Sequence, residues 1–307
     1  MNNIINRLQE LEIQTIKNIR SSKSLNTLRA YKADILSFEK FCTSLNLNSL
    51  PAKPKTVSLF ITEISKNSKL STIKRKLASI KVTHKIAGQY IDLKNPVIVE
   101  NLNSIKKQIG SFQKSKKPIL INELKSIICE VEKEKSIKVK LRDKALLLVG
   151  FSGAFRRSEL VSIEFEDLDF VKEGVKIFIK KSKTDQTGEG MIKALPYFIN
   201  NEICPVVSLK KWIQFLKNNK TLNNKIFNMS DKNVALIVKK YVRLAGLDPR
   251  KYAGHSLRSG FATSTAENGA EERQIMAMTG HKSSQMVRRY IQEVNLFKNN
   301  ALNKINL

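Results

Sequence analysis

Six side chains that can act on a phosphate group recur in order along the second half of the chain. They lie in five short motifs, GAFRRSEL, SKTDQTGEG, HSLRSGFAT, TGHKS and VRRYI. The six are Arg156, Lys183, His255, Arg258, His281 and Tyr290. Guanidinium groups bind anionic oxygens in pairs, histidine and lysine exchange protons, and a tyrosine hydroxyl becomes a nucleophile once a base or positive charge draws off its proton. A phosphodiester is anionic and repels nucleophiles until the charge on its non-bridging oxygens is neutralised, and these residue types suit that chemistry.

Other common phosphate chemistries leave no trace in the sequence. It shows no acidic cluster suited to Mg²⁺, no glycine-rich phosphate loop ending in Lys-Ser or Lys-Thr, and no cysteine and histidine spacing typical of zinc. We therefore expect neither a metal nor another cofactor.

The composition favours a polyanionic partner. Among 307 residues, 55 are Lys or Arg and 27 are Asp or Glu, which gives a formal net charge of +28. Both halves of the chain are basic, so the excess is not confined to a tail. Such charge is typical of proteins that bind nucleic acid, although a solvated lysine-rich surface is the alternative explanation.

The cysteines and the hydropathy pattern predict an intracellular protein of the cytoplasm. Cys42, Cys129 and Cys204 lie far apart, which fits a reducing compartment. No apolar run approaches the length of a membrane span, and the N-terminus lacks the order of a signal peptide. We expect no membrane partner.

The first part of the chain predicts a helical domain over residues 1–112. From Ser24, apolar residues recur at steps of three and four, which predicts an amphipathic helix with Asn26 or Thr27 as its cap. TVSLFITEIS predicts a second helix, Ser71 to Ala87 a third, and Val97 to Ile109 a fourth. The domain is expected to be a four- to five-helix bundle.

The third predicted helix carries a basic face. Ile73, Leu77, Ile80 and His84 repeat on its apolar side, and we assign His84 to either the core or the surface. The other side carries five cations with no acid among them. They are Lys74, Arg75, Lys76, Lys81 and Lys85. This pattern suits a helix laid against DNA phosphates or in the major groove, and an ordinary solvated face is the alternative.

A polar, basic stretch that ends at Pro118 predicts a linker over residues 113–118. Beyond it, residues 119–307 predict a second domain that is mostly helical. VKIFIK (175–180) and MIKALPY (191–197) are short β-prone runs on either side of a polar turn, and they predict a small antiparallel sheet. The fold class is therefore mainly α with a small sheet in the C-terminal domain.

The five motifs, in this order and at this spacing, resemble those of the tyrosine recombinases, the phage integrase family. NTLRAYKADILSFEKFC and STIKRKLASIKVTHKIAG are similar to the helical core-DNA-binding domain that precedes the catalytic domain in that family. The resemblance covers roughly residues 22–291. It implies a site-specific recombinase that cuts and rejoins DNA through a 3′-phosphotyrosine, in integration, excision, resolution or inversion. It also implies a nucleoid-associated protein encoded by a bacterium, a phage or a mobile element. The core-binding resemblance begins only some 22 residues in, so we expect no separate arm-binding domain.

The resemblance also implies a role for each site residue. Arg156 and Arg258 would bind the phosphate, and His281 would donate a hydrogen bond to it. Tyr290 would be the nucleophile, with His255 as its base. Lys183 would protonate the departing 5′-oxygen.

Some neighbours compete for these roles or support them. Lys181 is the rival of Lys183, while Arg157 falls one step past the family's arginine position. Glu159 would be a supporting residue that orients His255 or the arginine. Among the six tyrosines, Tyr290 is the one that follows the histidine motif.

The expected partners are double-stranded DNA recombination sites. The family works as a homotetramer on two sites, and we expect the same of this chain. Without DNA we expect it to be monomeric or weakly associated. The tail after Tyr290 carries apolar residues at helical steps, namely Ile291, Val294, Phe297, Ala301 and Ile305. It would dock on a neighbouring protomer or pack on its own domain. The rival functions are a type IB topoisomerase-like relaxing enzyme and a DNA-binding regulator with a vestigial site.

Overall fold

The chain divides into two compact units, Met1–Lys114 and Ser115–Leu307. The computed structural model describes residues 24–110, 115–180, 182, 189–221, 223–281 and 283–298. It also describes positions 6, 7, 10, 11, 13–15, 18, 302 and 305, and it omits the side chains of residues 25 and 293–298. The predicted linker, residues 113–118, spans the division between the units.

Four helices form the described core of the N-terminal unit. They are α1 (Leu25–Ser44), α2 (Pro54–Ser65), α3 (Leu70–Ile86) and α4 (Pro96–Ile109). Their buried apolar faces meet in one cluster, in which the rings of Phe38 and Phe60 pack edge to face with centroids 5.0 Å apart. The predicted helical domain is confirmed.

Two local details of this unit could not be assigned from periodicity. The predicted cap of α1 is wrong, because Ser24 is the N-cap and its Oγ accepts the amide hydrogen bond of Thr27 at 3.2 Å. His84 belongs to the core. Its Nε2 accepts from the amide of Ala52 at 2.9 Å, and its Nδ1 lies 2.8 Å from the carbonyl oxygen of Ile80.

The second unit is mostly helical. Its helices are α5 (Ile121–Glu132), α6 (Ile137–Ser152), α7 (Arg157–Ser162), α8 (Pro205–Asn218), α9 (Asp231–Leu244), α10 (Ser256–Glu267), α11 (Glu272–Thr279) and α12 (Ser284–Lys298). Helix α6 is the central element, because every residue from 145 to 152 is buried. This half of the helix is buried on every side, as expected where neighbours cover each face. The helix ends at Ser152, one turn before Arg156.

A three-stranded antiparallel sheet completes this unit. Its strands are β1 (Leu168–Val171), β2 (Gly174–Ile179) and β3 (Met191–Pro196), in that spatial order. Ile177 of β2 pairs with Lys193 of β3. The predicted fold class, mainly helical with a small sheet, is confirmed, and β1 is a strand that the sequence analysis did not predict.

Within the part of the chain that the structure describes, none of the helices combines the length and the apolar character of a membrane span. In the same residues, no three His, Cys, Asp or Glu side chains come together in a group that could hold a metal ion.

Candidate active site

Arg156 and Glu159 form a local pair at the start of α7. The Glu159 carboxylate accepts from the Arg156 amide at 2.9 Å and from its Nη1 at 2.6 Å. An acidic residue in the first turn of a helix commonly satisfies an amide there. Glu159 is buried, whereas the side chain of Arg156 keeps 16% of its surface exposed. The carboxylate thus fixes the guanidinium with part of it still open to a ligand.

Arg258 lies in the first turn of α10 and is almost completely buried, with 1% of its surface exposed. Its Nη1 donates to the carbonyl oxygen of Ala154 at 2.8 Å, and its Nη2 lies 3.1 Å from Nε2 of His281. Burial and the nearby cation of Arg156 lower the pKa of Arg258 to about 10, against the opposing charges of Glu159 and Tyr290. The guanidinium groups of Arg156 and Arg258 therefore lie close enough to affect each other's charge.

His281 follows α11 and completes this cluster. Burial, together with the cations of Arg258 and Arg156, lowers the pKa of His281 to about 4, so the ring is neutral at physiological pH. A guanidinium group can only donate, so Nε2 accepts from Arg258 and the proton of the neutral ring lies on Nδ1.

Two donors of the cluster are left unused. Among the described residues, neither Nε of Arg258 nor Nδ1 of His281 has a hydrogen-bond acceptor, although both atoms are buried. An unpaired buried donor costs about 1–3 kcal/mol. The two guanidinium groups of Arg156 and Arg258 have one carboxylate beside them, that of Glu159, among the groups that shift the pKa of Arg258. An anion that accepted both bonds would remove this cost.

A tight turn between α6 and α7 supports the arginines. Ala154 has a positive φ of 47°, in the left-handed region that disfavours side chains with a Cβ. This conformation turns its carbonyl oxygen to Arg258 just before the chain reaches Arg156. The turn thus couples the two guanidinium positions.

His255 lies at the start of α10, three residues before Arg258, and Tyr290 comes from α12. His255 immediately precedes α10 and is exposed, and its charge contributes to the low pKa of His281. Tyr290 lies in α12, is partly buried, and packs against the small apolar cluster of Ala262, Ile275 and Val287. Arg258 and Tyr290 interact electrostatically, so the phenol is near the guanidinium pair.

Lys183, and its rival Lys181, lie outside the described residues. Arg157 points away from the cluster, since its Nη2 lies 3.7 Å from Asp231 and its aliphatic part packs against Gly254.

The sequence analysis missed one residue, Lys193. Its side chain is fully buried beside Glu159, with Nζ 3.9 Å from Oε2 of that carboxylate. The available signal was strand alternation. Val175, Ile177 and Ile179 of β2 and Leu195 of β3 are buried, so the same alternation places Lys193 on the inward face.

The basic residues of α3 fall into two groups. Lys74, Lys81 and Lys85 are exposed and lie on one side of the helix. Arg75 instead pairs with the buried Asp34 of α1, at 2.8 Å, and Lys76 donates to Ser37 of the same helix at 2.7 Å. The five residues therefore do not form a single solvent-facing row.

Two family models match the chain. Residues 119–295 match the Phage integrase family, and residues 14–89 match the N-terminal SAM-like domain of phage integrases. The integrase/recombinase xerD homolog of Selenomonas ruminantium is 41% identical over 97% of this chain and 90% of that protein. The tyrosine recombinase XerC of Thermodesulfovibrio yellowstonii is 29% identical over 86% of this chain and 85% of its own length.

Solved structures show the same fold at lower identity. The XerH site-specific recombinase bound to palindromic difH substrate, in a post-cleavage complex, superposes with a TM-score of 0.69 at 18% identity, over 90% of this chain and 81% of that one. A lambda integrase tetramer bound to a Holliday junction gives a TM-score of 0.59 at 15% identity, over 92% and 76% of the two chains.

Proposed function

Because the chain belongs to the phage integrase family of tyrosine recombinases, we propose that it cuts and rejoins DNA through a covalent bond between Tyr290 and a 3′-phosphate. It is a tyrosine-type site-specific recombinase that acts on DNA. One observation carries the mechanism. Two buried donors, Arg258 Nε and His281 Nδ1, have no acceptor among the described residues, and Arg156 lies near them.

The first step is binding of the scissile phosphate. Arg156 and Arg258 would neutralise its non-bridging oxygens, and His281 would donate from Nδ1. The two guanidinium groups are already held in place, Arg156 by Glu159 and Arg258 by the carbonyl oxygen of Ala154, so little rearrangement opposes the reaction. Positive charge at a fixed place stabilises the extra negative charge that develops on the phosphorane-like transition state.

The second step is attack by Tyr290. Its oxygen forms a bond to phosphorus, its proton passes to His255, and the bond between phosphorus and the 5′-oxygen breaks. Lys183 would give that oxygen its proton, an assignment that rests on the family resemblance. The phosphotyrosine remains an ester, so a 5′-hydroxyl can attack it and rejoin the DNA without a separate energy source.

DNA contact in the N-terminal unit is proposed for the exposed side of α3. Lys74, Lys81 and Lys85 are available to phosphates, whereas Arg75 and Lys76 also make bonds within the unit. Removing one phosphate contact weakens binding to all sequences alike and lowers its salt dependence. We expect this behaviour from Lys81→Ala, with Lys66→Ala, which removes the exposed partner of Glu63, as the control.

Assembly on DNA follows by analogy with the relatives. The lambda integrase structure is a tetramer on a Holliday junction, and the XerH structure holds difH DNA. We propose a homotetramer on two double-stranded recombination sites and a monomeric or weakly associated chain without DNA. Truncation after Gln292 keeps Ile291, which packs against the chain's own apolar cluster. If the tail docks on a neighbour, the truncated chain still binds one site but no longer pairs two.

The test is covalent capture on DNA. The full chain is incubated with the DNA that flanks its own gene, built as nicked suicide substrates, and the products are separated on a denaturing gel. The wild type should give a protein-linked band that disappears in Tyr290→Phe. Tyr197→Phe, an exposed tyrosine of the same unit, is the matched control and should keep the band.

Two outcomes would favour the rival functions. DNA binding with no covalent band on any fragment supports a regulator with a vestigial site. Relaxation of a supercoiled plasmid that lacks the captured site supports a topoisomerase-like enzyme.

A further inference from the structure

Lys193 is a buried lysine that the proposed mechanism does not use. It lies in β3 opposite Ile177, and none of its side chain is exposed. A charged side chain is rarely buried unless it is paired or serves a function. What surrounds its Nζ therefore indicates what it does.

The Lys193 ammonium is bonded to the turn that supports the arginines. Nζ donates to the carbonyl oxygen of Gly153 at 2.6 Å and lies 3.4 Å from that of Ala154. It also lies 4.4 Å from the ring centroid of Phe155, which favours the cationic form. Because the Ala154 oxygen also accepts from Arg258, Lys193 and Arg258 share one anchor.

Lys193 also shares the carboxylate that holds the other arginine. Glu159 Oε2 lies 3.9 Å from its Nζ, while Oε1 of the same group binds Arg156 at 2.6 Å. One negative charge is thus divided between two cations. When Lys193 is charged, Glu159 neutralises less of Arg156, and more positive charge remains for a ligand.

The charge of Lys193 is finely balanced. Burial lowers its pKa to about 7, the cations of Arg258 and Arg156 act in the same direction, and Glu159 opposes them. His281, which also faces the cluster, is neutral in this range. An anion bound at the arginines would favour the protonated lysine, since it adds a negative charge near a side chain that is fully buried.

We propose that Lys193 is a positioning residue that sets the charge of the phosphate site: its ammonium holds the Gly153–Phe155 turn and Glu159, and it takes up a proton when an anion binds at Arg156 and Arg258. The inference rests on the proposed phosphate site. It makes anion binding tighter at low pH, and it requires no contact between Lys193 and DNA.

The first experiment observes the proton directly. The full-length chain is labelled with ¹³C at lysine Cε and titrated by NMR from pH 5 to 10, with and without inorganic sulfate as the anion probe. One lysine should titrate near neutrality, its midpoint should rise with sulfate, and its signal should be absent from Lys193→Met. By linkage, a rise of one pH unit means about tenfold tighter anion binding to the protonated form. A Lys193 midpoint above 9, or one that sulfate leaves unchanged, overturns the proposal.

The second experiment measures the consequence for DNA. Cleavage of the captured suicide substrate below saturation should slow by up to about tenfold between pH 6 and 8.5 in the wild type, if the midpoint rises by one unit on binding. Lys193→Met should lose this part of the pH profile, and Lys193→Arg, which stays charged, should keep the low-pH rate at pH 8.5. Lys176→Met, an exposed lysine of β2, is the matched control. An identical profile in wild type and Lys193→Met overturns the proposal.

The two proposals fail in different ways. Sulfate binding and the lysine titration need no nucleophile, so they can be observed even if no covalent band forms. Loss of the band with the titration intact counts against the recombinase mechanism alone.

Discussion

Gly260→Ala should push helix α10 away from the backbone of Ile119 in the second unit, which we call the catalytic unit. A Cβ on Gly260 of α10 would lie 1.9 Å from the carbonyl oxygen of Ile119 and 3.0 Å from its nitrogen. The same Ile119 donates its amide hydrogen to the Ser256 carbonyl of α10 at 2.9 Å. The helix therefore lies directly against this segment, and only glycine fits at the contact.

The magnitude follows from the distance. Ordinary contact begins near 3.4 Å, so the helix and the segment must separate by about 1.5 Å. Overpacking of this kind costs about 1–3 kcal/mol, and the strained hydrogen bond adds about 1 kcal/mol. Arg258 lies two residues earlier on the same helix, and a displacement near 1 Å at a site of this kind lowers a rate about 100-fold.

Both effects can be measured on the full chain. Trp212 is the one tryptophan and is buried in the catalytic unit, so its fluorescence in urea reports unfolding of that unit. Ser264→Ala is the matched control, one turn later on α10. Its hydroxyl is buried without a partner among the described residues, so the change should be neutral or stabilising. If Gly260→Ala unfolds at the wild-type urea concentration and cleaves within twofold of the wild-type rate, the close-contact reasoning is refuted.

Three further predictions concern charges and hydrogen bonds. Glu159→Gln should lower the melting temperature more at pH 6 than at pH 9, because Lys193 is charged only at the lower pH. Breaking a buried ion pair costs about 3–5 kcal/mol. Equal decreases in melting temperature at the two pH values, measured by calorimetry, would contradict this. His281 should keep a neutral ring from pH 5.5 to 8. Because its folded pKa of about 4 lies below the ordinary value of 6.5, its contribution to stability should fall as the pH drops from 6.5 to 4; an NMR midpoint above 6 would exclude this. Tyr241→Phe removes a 2.9 Å bond to the buried Asp143 and should cost about 1–3 kcal/mol in urea unfolding with cleavage unchanged.

Much of the proposed site was predictable because its signals are local or ordered along the chain. Arg156 and Glu159 are three residues apart, and this spacing at a helix start lets the carboxylate reach both the amide and the guanidinium. Arg258, His281 and Tyr290 were assigned from the order of the motifs. That order carries family information rather than geometry, so it named the residues but not their bonds.

Details that depend on distant partners were not predictable. Strand β1 has only four residues and includes an aspartate, so it is recognisable mainly through its pairing with β2. The basic face of α3 was predicted as a unit, but Asp34 and Ser37 of α1 engage two of its members. Side-chain type and period describe a helix face, and they do not describe what packs against it.

The sequence by itself determined the two helical units, the small sheet and the candidate residues of a phosphate site, because period and motif order are properties of the chain alone. The tertiary structure decided which charges share that site. In the sequence, Lys193 is one polar residue in a β-prone run. It belongs to the site only because β3 packs beside the turn at Gly153 and beside Glu159, some 40 and 34 positions earlier. A buried charge depends on the groups that surround it in space, and those groups come from parts of the chain that no local pattern connects.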